Sequence, residues 1–401
     1  MASHHQFSPT LRLLVLALCA LSSLGSRQDA EILLSQVPLI DGHNDLPWNI
    51  RKFLRNQING FELDSDLTVA EPWASSQYSH TDLPRLRSGH VGAQFWSAYV
   101  PCSAQNKDAV QLTFEQVDVI KRLVARNPDS LLFATSPDDI LAALDARPRK
   151  IASMIGIEGG HSIGNSLGVL RMFYELGVRY MSLTHNCNTL WADSSTDTPN
   201  LNGLNAFGEK VVNEMNRLGM LIDLSHVSPD TSRATIRLSR APVMFSHSSV
   251  YSICPTNRNV QDDIIDSVKE TGGIIMVNFY PNFVKCTNNA TLEDVVEHLT
   301  YIKNKIGSEY VGLGGDYDGV NRLPKGLEDV DKYPDLISVL MESGDWTDQE
   351  IKNLAGLNLI RVFRKVEQVR DELKQAGVLP LEHPDSAQDN GDCTSNSFGS
   401  S

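Results

Sequence analysis

The sequence of 401 residues has no excess of positive charge, because 35 Lys and Arg stand against 49 Asp and Glu, for a formal net charge of −14. A surface of that sign repels phosphate backbones, so we expect no nucleic-acid binding. Long low-complexity tracts are also absent. With 41% hydrophobic and 21% charged residues, the composition excludes a disordered, collagenous or coiled-coil chain and indicates a globular protein.

Long hydrophobic runs are scarce. The run Leu13–Leu21 follows Arg12 and precedes the small residues Ser23 and Gly25, which is the layout of a cleavable signal peptide over residues 1–25. No later stretch approaches the roughly 18 to 20 apolar residues that cross a bilayer. We therefore expect an exported protein that passes through the secretory pathway to the extracellular space or cell surface.

Cysteine is sparse, and none of the cysteines forms a C-x-x-C pair of the kind used for zinc or redox chemistry. Cys19 would leave with the signal peptide. In an oxidising compartment the others read as disulfide partners. They are Cys102, Cys187, Cys254, Cys286 and Cys393. Five is an odd number, and Cys393 lies in a polar segment, so it is the candidate for a bridge between two chains in a homodimer.

Two further surface features can be predicted. The sequon Asn289-Ala290-Thr291 precedes a helical pattern and suits a glycosylated loop. Residues 377–401 are polar and rich in Pro, Asp, Asn, Ser and Gly, and we expect a disordered tail there. The domain would then span residues 26–376.

Short apolar runs recur along the chain and alternate with helical patterns. Most are continuously apolar, which is typical of parallel strands buried on both faces. The eight runs are Pro38–Asp45, Ala93–Tyr99, Ile151–Glu158, Tyr180–His185, Leu221–His226, Pro242–His247, Ile274–Phe279 and Val311–Asp316. The helical patterns between them include Ser166–Leu176, Phe207–Leu218, Ser228–Ser239, Gln261–Thr271 and Leu292–Ile306. This order predicts an α/β fold, a (β/α)₈ TIM-like barrel with C-terminal helices over 335–376; an open doubly wound sheet is the alternative.

Histidines and carboxylates stand where five of these runs end. Parallel barrels carry their chemistry at the carboxyl ends of the strands, so these side chains would converge in one mouth. The residues are His43, Asp45, Glu158, His226, His247 and Asp316. Taken singly, each has an ordinary structural explanation as a hydrogen-bonded histidine, a turn aspartate or a helix-cap partner. Their joint placement at five strand ends favours a shared site.

Imidazole and carboxylate ligands without thiolate suit catalytic zinc or a similar divalent ion. The set is too large for one hydrolytic metal with an open position, so we expect two. One carboxylate would bridge them, a shared water would lose a proton near neutral pH, and the metals would polarise the scissile carbonyl. No phosphate-binding loop that ends in Lys-Ser or Lys-Thr occurs, and the joint placement of these ligands makes metal-assisted hydrolysis the expected reaction.

Distinctive motifs surround the candidate residues. They are Ile40-Asp41-Gly42-His43-Asn44-Asp45-Leu46-Pro47-Trp48, Gly156-Ile157-Glu158-Gly159-Gly160-His161-Ser162, Leu183-Thr184-His185-Asn186-Cys187-Asn188, Ile222-Asp223-Leu224-Ser225-His226-Val227-Ser228, Phe245-Ser246-His247-Ser248, Arg258-Asn259-Val260 and Gly314-Gly315-Asp316-Tyr317-Asp318-Gly319. Through these motifs the chain, from about Val37 to Cys393, resembles the membrane dipeptidases, which are zinc-dependent secreted or glycolipid-anchored peptidases.

The resemblance implies two Zn²⁺ per chain and a role for each matched residue. His43 and Asp45 would bind the first zinc, His226 and His247 the second, and Glu158 would bridge them. The resemblance also implies that His185 and Arg258 hold the substrate and that Asp316 handles the proton of the bridging water. Of these, Arg258 suits a clamp on a terminal carboxylate, and His185 could stabilise an oxyanion. His161 and Asp318 are interpreted as supporting residues.

By the same resemblance Cys102 pairs with Cys187 and Cys254 with Cys286, which leaves Cys393 for a partner chain. The family's substrates include L,L-dipeptides, dipeptides with a D residue at the C-terminal position, cysteinylglycine, the cysteinylglycine leukotriene and some β-lactams. Its usual glycosylphosphatidylinositol anchor needs a hydrophobic C-terminal signal, and no apolar stretch precedes Ser401.

Two other functions remain open from the sequence. One is another barrel amidohydrolase, such as a lactonase or deaminase, that uses the same metals. The other is a non-catalytic extracellular adhesion or receptor module that uses the barrel only as a scaffold. Metal content separates the scaffold from the enzymes, and the contribution of Arg258 to dipeptide binding separates the two enzymes.

Overall fold

The computed structural model of the protein describes residues 26–382. The predicted signal peptide, Cys393 and the tail beyond residue 382 lie outside the described residues. Within this range no helix is both long and apolar enough to cross a membrane.

Eight parallel strands close into a barrel, as predicted. The barrel strands are β1 (Leu39–Asn44), β2 (Val91–Tyr99), β4 (Ile151–Glu158), β5 (Val178–Ser182), β6 (Leu221–Asp223), β7 (Met244–Phe245), β8 (Ile274–Val277) and β9 (Val311–Leu313). Their order is β2-β1-β9-β8-β7-β6-β5-β4, and the ring is closed by β2 and β4, which pair from Ala93 opposite Ala152 to Tyr99 opposite Glu158. The open-sheet alternative is therefore wrong.

A short strand outside the barrel was not predicted. Strand β3 (Leu131–Phe133) pairs in parallel only with Ile151–Ser153, the first residues of β4. Three residues are too few for a periodic signal, and the segment pairs with the part of the β4 edge that precedes the pairing of β4 with β5.

Four of the predicted runs end in a polar residue that lies two or three positions beyond the last residue of the strand. Strands β5, β6, β7 and β9 end at Ser182, Asp223, Phe245 and Leu313, two or three residues before the polar residue that ends each run. In two of these runs the polar residue has a left-handed backbone, with φ 71° at His226 and φ 61° at Asp316. Such a conformation cannot continue a strand ladder, so these side chains leave from turns above the barrel.

All five helices expected between strands are present, and two of the serines at their predicted starts cap them. The Ser166 and Ser228 side chains accept hydrogen bonds from the N–H groups of Val169 and Thr231. Residues 26–34 are also helical. The α-helices after this segment, which include the five predicted ones, are α1 (Leu46–Leu54), α2 (Leu83–Ser88), α3 (Ala109–Arg126), α4 (Pro137–Asp145), α5 (Leu167–Glu175), α6 (Ala206–Leu218), α7 (Pro229–Leu238), α8 (Asp262–Thr271), α9 (Pro281–Val284), α10 (Leu292–Ile306), α11 (Tyr333–Ser343), α12 (Asp348–Lys352) and α13 (Asn358–Gln375).

The last helix covers the amino-terminal end of the barrel. Buried Leu359 and Phe363 of α13 belong to one core cluster with inward-facing strand residues such as Ile40 and Met276. The turn before α13 approaches the first strand so closely that a side chain on Gly356 would overlap the carbonyl of Pro38. With this end filled by apolar side chains, the candidate metal ligands lie at the opposite end, where the strands terminate.

Candidate metal centre

The five predicted metal ligands and Asp316 meet in one buried cluster at the carboxyl end of the barrel. His43 and His247 are fully buried, and the other four are nearly so. The cluster contains three groups whose ligand atoms lie within 4.8 Å of one another. They are His43, Asp45 and Glu158; Glu158, His226 and His247; and His43, His247 and Asp316. Glu158 belongs to the first two groups, so one carboxylate faces both.

The two oxygens of Glu158 point in different directions. Its Oε1 lies 2.9 Å from Nε2 of His226 and 3.5 Å from Nε2 of His247. Its Oε2 lies 3.6 Å from Nε2 of His43. One oxygen therefore faces the His226 and His247 rings, and the other faces His43.

The surroundings of the Asp45 carboxylate indicate whether a cation fits the group formed by His43, Asp45 and Glu158. Its Oδ2 lies 3.0 Å from Nε2 of His43. Its Oδ1 is buried and has no hydrogen-bond partner. A carboxylate oxygen removed from water without a donor is costly unless a cation meets it. The nitrogen and oxygen donors around it suit a hard or borderline divalent metal.

The outer ring nitrogens of the three histidines are all engaged, which leaves Nε2 of each ring for the cluster. Nδ1 of His43 lies 2.9 Å from the Tyr180 hydroxyl, Nδ1 of His226 lies 3.1 Å from the side-chain oxygen of Asn186, and Nδ1 of His247 lies 2.8 Å from Oγ of Ser246. Such outer contacts fix the tautomer and the ring orientation of a metal-binding histidine.

Burial dominates the electrostatics of the cluster. It lowers the pKa of His226 and His247 well below the usual value, and the nearby Arg258 cation adds to the effect. Burial also raises the pKa of Glu158. These shifts keep the two imidazoles neutral, which is the form that binds metal.

His43 differs from the other two histidines. Burial opposes its protonation, but Tyr180 and the carboxylates of Asp45 and Glu158 outweigh that effect and raise its pKa well above the usual value. In the absence of a cation, a protonated His43 would balance the carboxylates around it. Metal binding at this group would therefore displace a proton.

Asp316, which shares a group with His43 and His247, lies in a turn with left-handed backbone. Its Oδ2 accepts a hydrogen bond of 2.9 Å from the side-chain amide of Asn278. Burial raises the pKa of Asp316 to about 7, and the carboxylates of Asp45 and Glu158 contribute in the same direction while His43 opposes it. Backbone strain at a site residue of this kind is common where function requires one particular side-chain direction.

Arg258 and His185 face the same cleft. The Arg258 guanidinium donates to Oγ of Ser248 at 3.0 Å and to the His247 carbonyl at 3.1 Å, while its Nε is buried without a partner. Nε2 of His185 lies 3.7 Å from Oε1 of Glu158. Burial lowers the pKa of His185 to about 3, and the neighbouring His161, Arg258 and His43 side chains add to the effect.

A cleft of about 390 Å³ opens above the cluster. Its walls include the aromatic side chains Trp48, Tyr78, Tyr99, Tyr280 and Phe283. None of these was a sequence candidate, because an aromatic residue beside a strand or helix is usually part of the core. Asn278 was also missed, although it follows β8 directly and the reasoning from strand ends would have found it.

Both predicted supporting residues stand beside the cluster rather than in it. His161 places its Nε2 3.0 Å from the Val100 carbonyl. Asp318 lines the cleft and accepts hydrogen bonds from the side chains of Thr81 and Asn49.

The four cysteines within the described residues form two disulfides with the pairing that the resemblance implies. Cys102 is bonded to Cys187 with the Cα atoms 6.0 Å apart, and Cys254 to Cys286 with the Cα atoms 5.4 Å apart. The first lies beside the centre, since Sγ of Cys102 is 3.9 Å from Nδ1 of His185. Asn289 of the sequon is exposed.

A closed (β/α)₈ barrel with histidines and carboxylates converging at its mouth defines a metal-dependent hydrolase. The chain belongs to the family described as Membrane dipeptidase (Peptidase family M19), which it matches over residues 27–377, and it is accordingly a metallo-dipeptidase. It is 45% identical to Dipeptidase 3 of Mus musculus over 369 residues, 91% of this chain and 71% of the relative. It is 46% identical to Dipeptidase aclJ of Aspergillus oryzae over 362 residues, 88% of this chain and 83% of the relative.

Solved structures share the fold. The probable dipeptidase PvdM from Pseudomonas aeruginosa superposes with a TM-score of 0.76 at 21% identity, covering 86% of this chain and 99% of that one. A metallo peptidase from Rhodobacter sphaeroides liganded with a phosphinate mimic of the dipeptide L-Ala-D-Ala gives a TM-score of 0.72 at 22% identity, covering 82% and 99%.

Proposed function

We propose that this protein is a binuclear zinc dipeptidase that hydrolyses the peptide bond of dipeptides. The observation that carries the proposal is the position of Glu158, whose two oxygens face two separate groups of ligands. In this assignment His43 and Asp45 hold the first zinc, His226 and His247 the second, and Glu158 both. When bound, two zinc ions would supply activation of the attacking water and polarisation of the scissile carbonyl.

The remaining side chains bind the substrate and move protons. Arg258 would hold the terminal carboxylate of the dipeptide, because its guanidinium is buried in the cleft without a carboxylate partner among the described ion pairs. His185 would donate to the oxyanion that develops on the scissile carbonyl. Asp316 would accept a proton from the attacking water and return it to the leaving amine.

This arrangement favours small substrates with a free terminal carboxylate. L,L-dipeptides, dipeptides with a D residue at the second position, and cysteinylglycine-type substrates including the cysteinylglycine leukotriene all meet that requirement. Some β-lactams present a carboxylate beside a strained amide and belong to the same proposal. The solved relative with an L-Ala-D-Ala mimic supports the D residue as a substrate feature.

The experiment is an assay of a dipeptide panel before and after chelation, with the bound metal counted by elemental analysis. We expect two zinc ions per chain, loss of cleavage on chelation and recovery on addition of zinc. Cleavage that survives complete removal of metal would refute the proposal. A chain that binds two zinc ions and hydrolyses lactones but no dipeptide would identify the other amidohydrolase function instead.

We also propose that the protein is exported and forms a homodimer linked through Cys393. Two disulfides within the described residues suit an oxidising compartment. A Cys393→Ser variant should migrate as a monomer on a non-reducing gel where the wild type migrates as a dimer. A glycan on Asn289 and a glycolipid anchor are parts of the same proposal, and they are tested by Asn289→Gln and by phospholipase release from cells.

A further inference from the structure

Asp223 is a buried carboxylate next to the metal centre that has no role in the assignment above. It ends strand β6 and is fully buried. Its Oδ1 accepts hydrogen bonds from the main-chain N–H groups of Ser225 at 3.0 Å and Ser246 at 2.8 Å. Its Oδ2 accepts from the hydroxyls of Ser182 and, at 2.7 Å, Ser246. Among the ion pairs of residues 26–382 none involves Asp223, so its charge faces neutral donors.

The hydrogens available to Ser246 fix the direction of its second contact. A serine hydroxyl carries one hydrogen, and a carboxylate can only accept. Ser246 therefore donates to Asp223 and must accept from the other neighbour, Nδ1 of His247, at 2.8 Å. His247 is then the tautomer with hydrogen on Nδ1, and the lone pair of its Nε2 faces Glu158 and His226.

The same carboxylate holds both segments that carry the second group of ligands. Ser225 precedes His226 and Ser246 precedes His247, and Asp223 accepts the main-chain N–H of both serines. The N–H of His247 in turn donates to Oγ of Ser225 at 3.0 Å. The two turns are thus fixed relative to one another by one buried residue.

From these contacts we infer that Asp223 and Ser246 are positioning residues that act as a relay to His247 and strengthen metal binding selectively at the His226/His247 group. This inference rests on the proposed two-metal function. A carboxylate that reaches a ligand histidine through its outer nitrogen fixes the ring and makes the metal-facing nitrogen a better donor, and losing such a partner costs about 10- to 100-fold in metal affinity. Here a serine hydroxyl is inserted between the carboxylate and the imidazole.

The selectivity follows from the outer contacts of the other group. Nδ1 of His43 contacts the Tyr180 hydroxyl, so no bond from Asp223 reaches that ring. Removing the Ser246 hydroxyl should therefore weaken one zinc site and leave the other unchanged. A general loss of stability would weaken both.

The test uses the full-length protein and measures zinc affinity at each site by competition with a graded chelator, followed by elemental analysis. Ser246→Ala removes the relay. Ser182→Ala is the matched control, because it removes another hydroxyl from the same Asp223 oxygen without a contact to His247. Asp223→Asn is the second variant, since it keeps the side-chain volume and removes the charge. Circular dichroism and thermal unfolding of the metal-free forms check the fold.

We expect Ser246→Ala and Asp223→Asn to bind one zinc as tightly as the wild type and the other about 10- to 100-fold more weakly. Ser182→Ala should keep both sites close to wild-type affinity. The relay is refuted if folded Ser246→Ala binds both zinc ions as the wild type does, or if Ser182→Ala loses the same site to the same extent. A wild type that binds fewer than two zinc ions would instead refute the proposed function, so the two failures are distinguishable.

Discussion

The imidazole rings of His43 and His247 are stacked, with their centroids 3.9 Å apart and their planes inclined by 28°. They come from β1 and from the turn after β7, two strands with β9 and β8 between them in the barrel. The two groups of ligands come from distant parts of the chain and are in contact through these two rings. This contact explains why a single carboxylate can reach both groups.

Replacement of Glu158 by glutamine should remove the negative charge that the two groups of ligands share. The amide keeps the side-chain volume but loses the charge that both groups share, so we expect at most one zinc per chain after gel filtration and a fall in kcat/KM of at least about 100-fold. Elemental analysis and a dipeptide assay measure the two effects. Glu342→Gln, a change at an exposed residue, is the control. A Glu158→Gln protein that keeps two zinc ions and full activity would contradict the bridging role.

Arg258→Met tests the carboxylate clamp. Hydrogen bonds to charged groups contribute about 1.5–3 kcal/mol, so KM for dipeptides should rise by about 10- to 150-fold. A dipeptide amide, which lacks the terminal carboxylate, is the matched substrate, and the variant should lose little on it relative to the wild type. An equal loss on both substrates would mean that Arg258 acts on the fold of the site and not on the carboxylate.

Gly319→Ala should damage the centre without unfolding the barrel. A methyl group at this position would overlap Oδ2 of Asp45 and Oδ1 of Asp316, the two aspartates at the mouth. We expect weaker zinc binding and reduced kcat, with a melting temperature close to that of the wild type. Gly60→Ala is the control, because the same methyl group would meet no atom within 4 Å. Unchanged zinc affinity in Gly319→Ala would show that the two aspartates can move apart.

Glu214 should make stability depend on pH in a defined direction. Burial opposes its ionisation, but hydrogen bonds from Arg217, the Leu381 N–H and Arg171 lower its pKa below the usual value of 4.5. The ionised form is thus favoured by folding, and its stabilisation is present above about pH 4.5 and is lost as the pH falls through the folded-state pKa. Glu214→Gln should cost about 1–3 kcal/mol at pH 7.

The measurement for Glu214 is urea unfolding at several pH values. The difference in the free energy of unfolding between the wild type and Glu214→Gln should become smaller below pH 4. Glu270→Gln, a change at an exposed residue, should have the same free energy of unfolding as the wild type at every pH. A difference in the free energy of unfolding that is the same at pH 7 and pH 3 would mean that the charge of Glu214 does not contribute to stability.

Leu381 lies within residues 377–401, the segment predicted to be a disordered tail. Its N–H donates a hydrogen bond to Glu214, so this part of the predicted tail is attached to the barrel domain.

The sequence predicted the barrel and the buried ligands because both follow from local rules. A continuously apolar run predicts a strand, and a polar residue where the run stops lies at the mouth of the barrel. What it could not provide were contacts between distant segments. The Tyr180 hydroxyl beside His43 and the Ser246 hydroxyl beside Asp223 come from side chains that look like ordinary strand residues until the barrel closes. The strand ends were also placed too late, because left-handed turns at His226 and Asp316 leave no mark in an apolar pattern.

Helix α13 leaves the barrel of this enzyme open at one end only. Its apolar face fills the far end of the cylinder, so a dipeptide arrives, and both amino acids depart, by the same doorway. A released amino acid must therefore leave through the opening by which the next dipeptide enters, and the two compete for the cleft. Because the products leave past the site that binds the substrate, we expect high amino-acid concentrations to slow turnover in initial-rate assays, whichever dipeptide is cleaved.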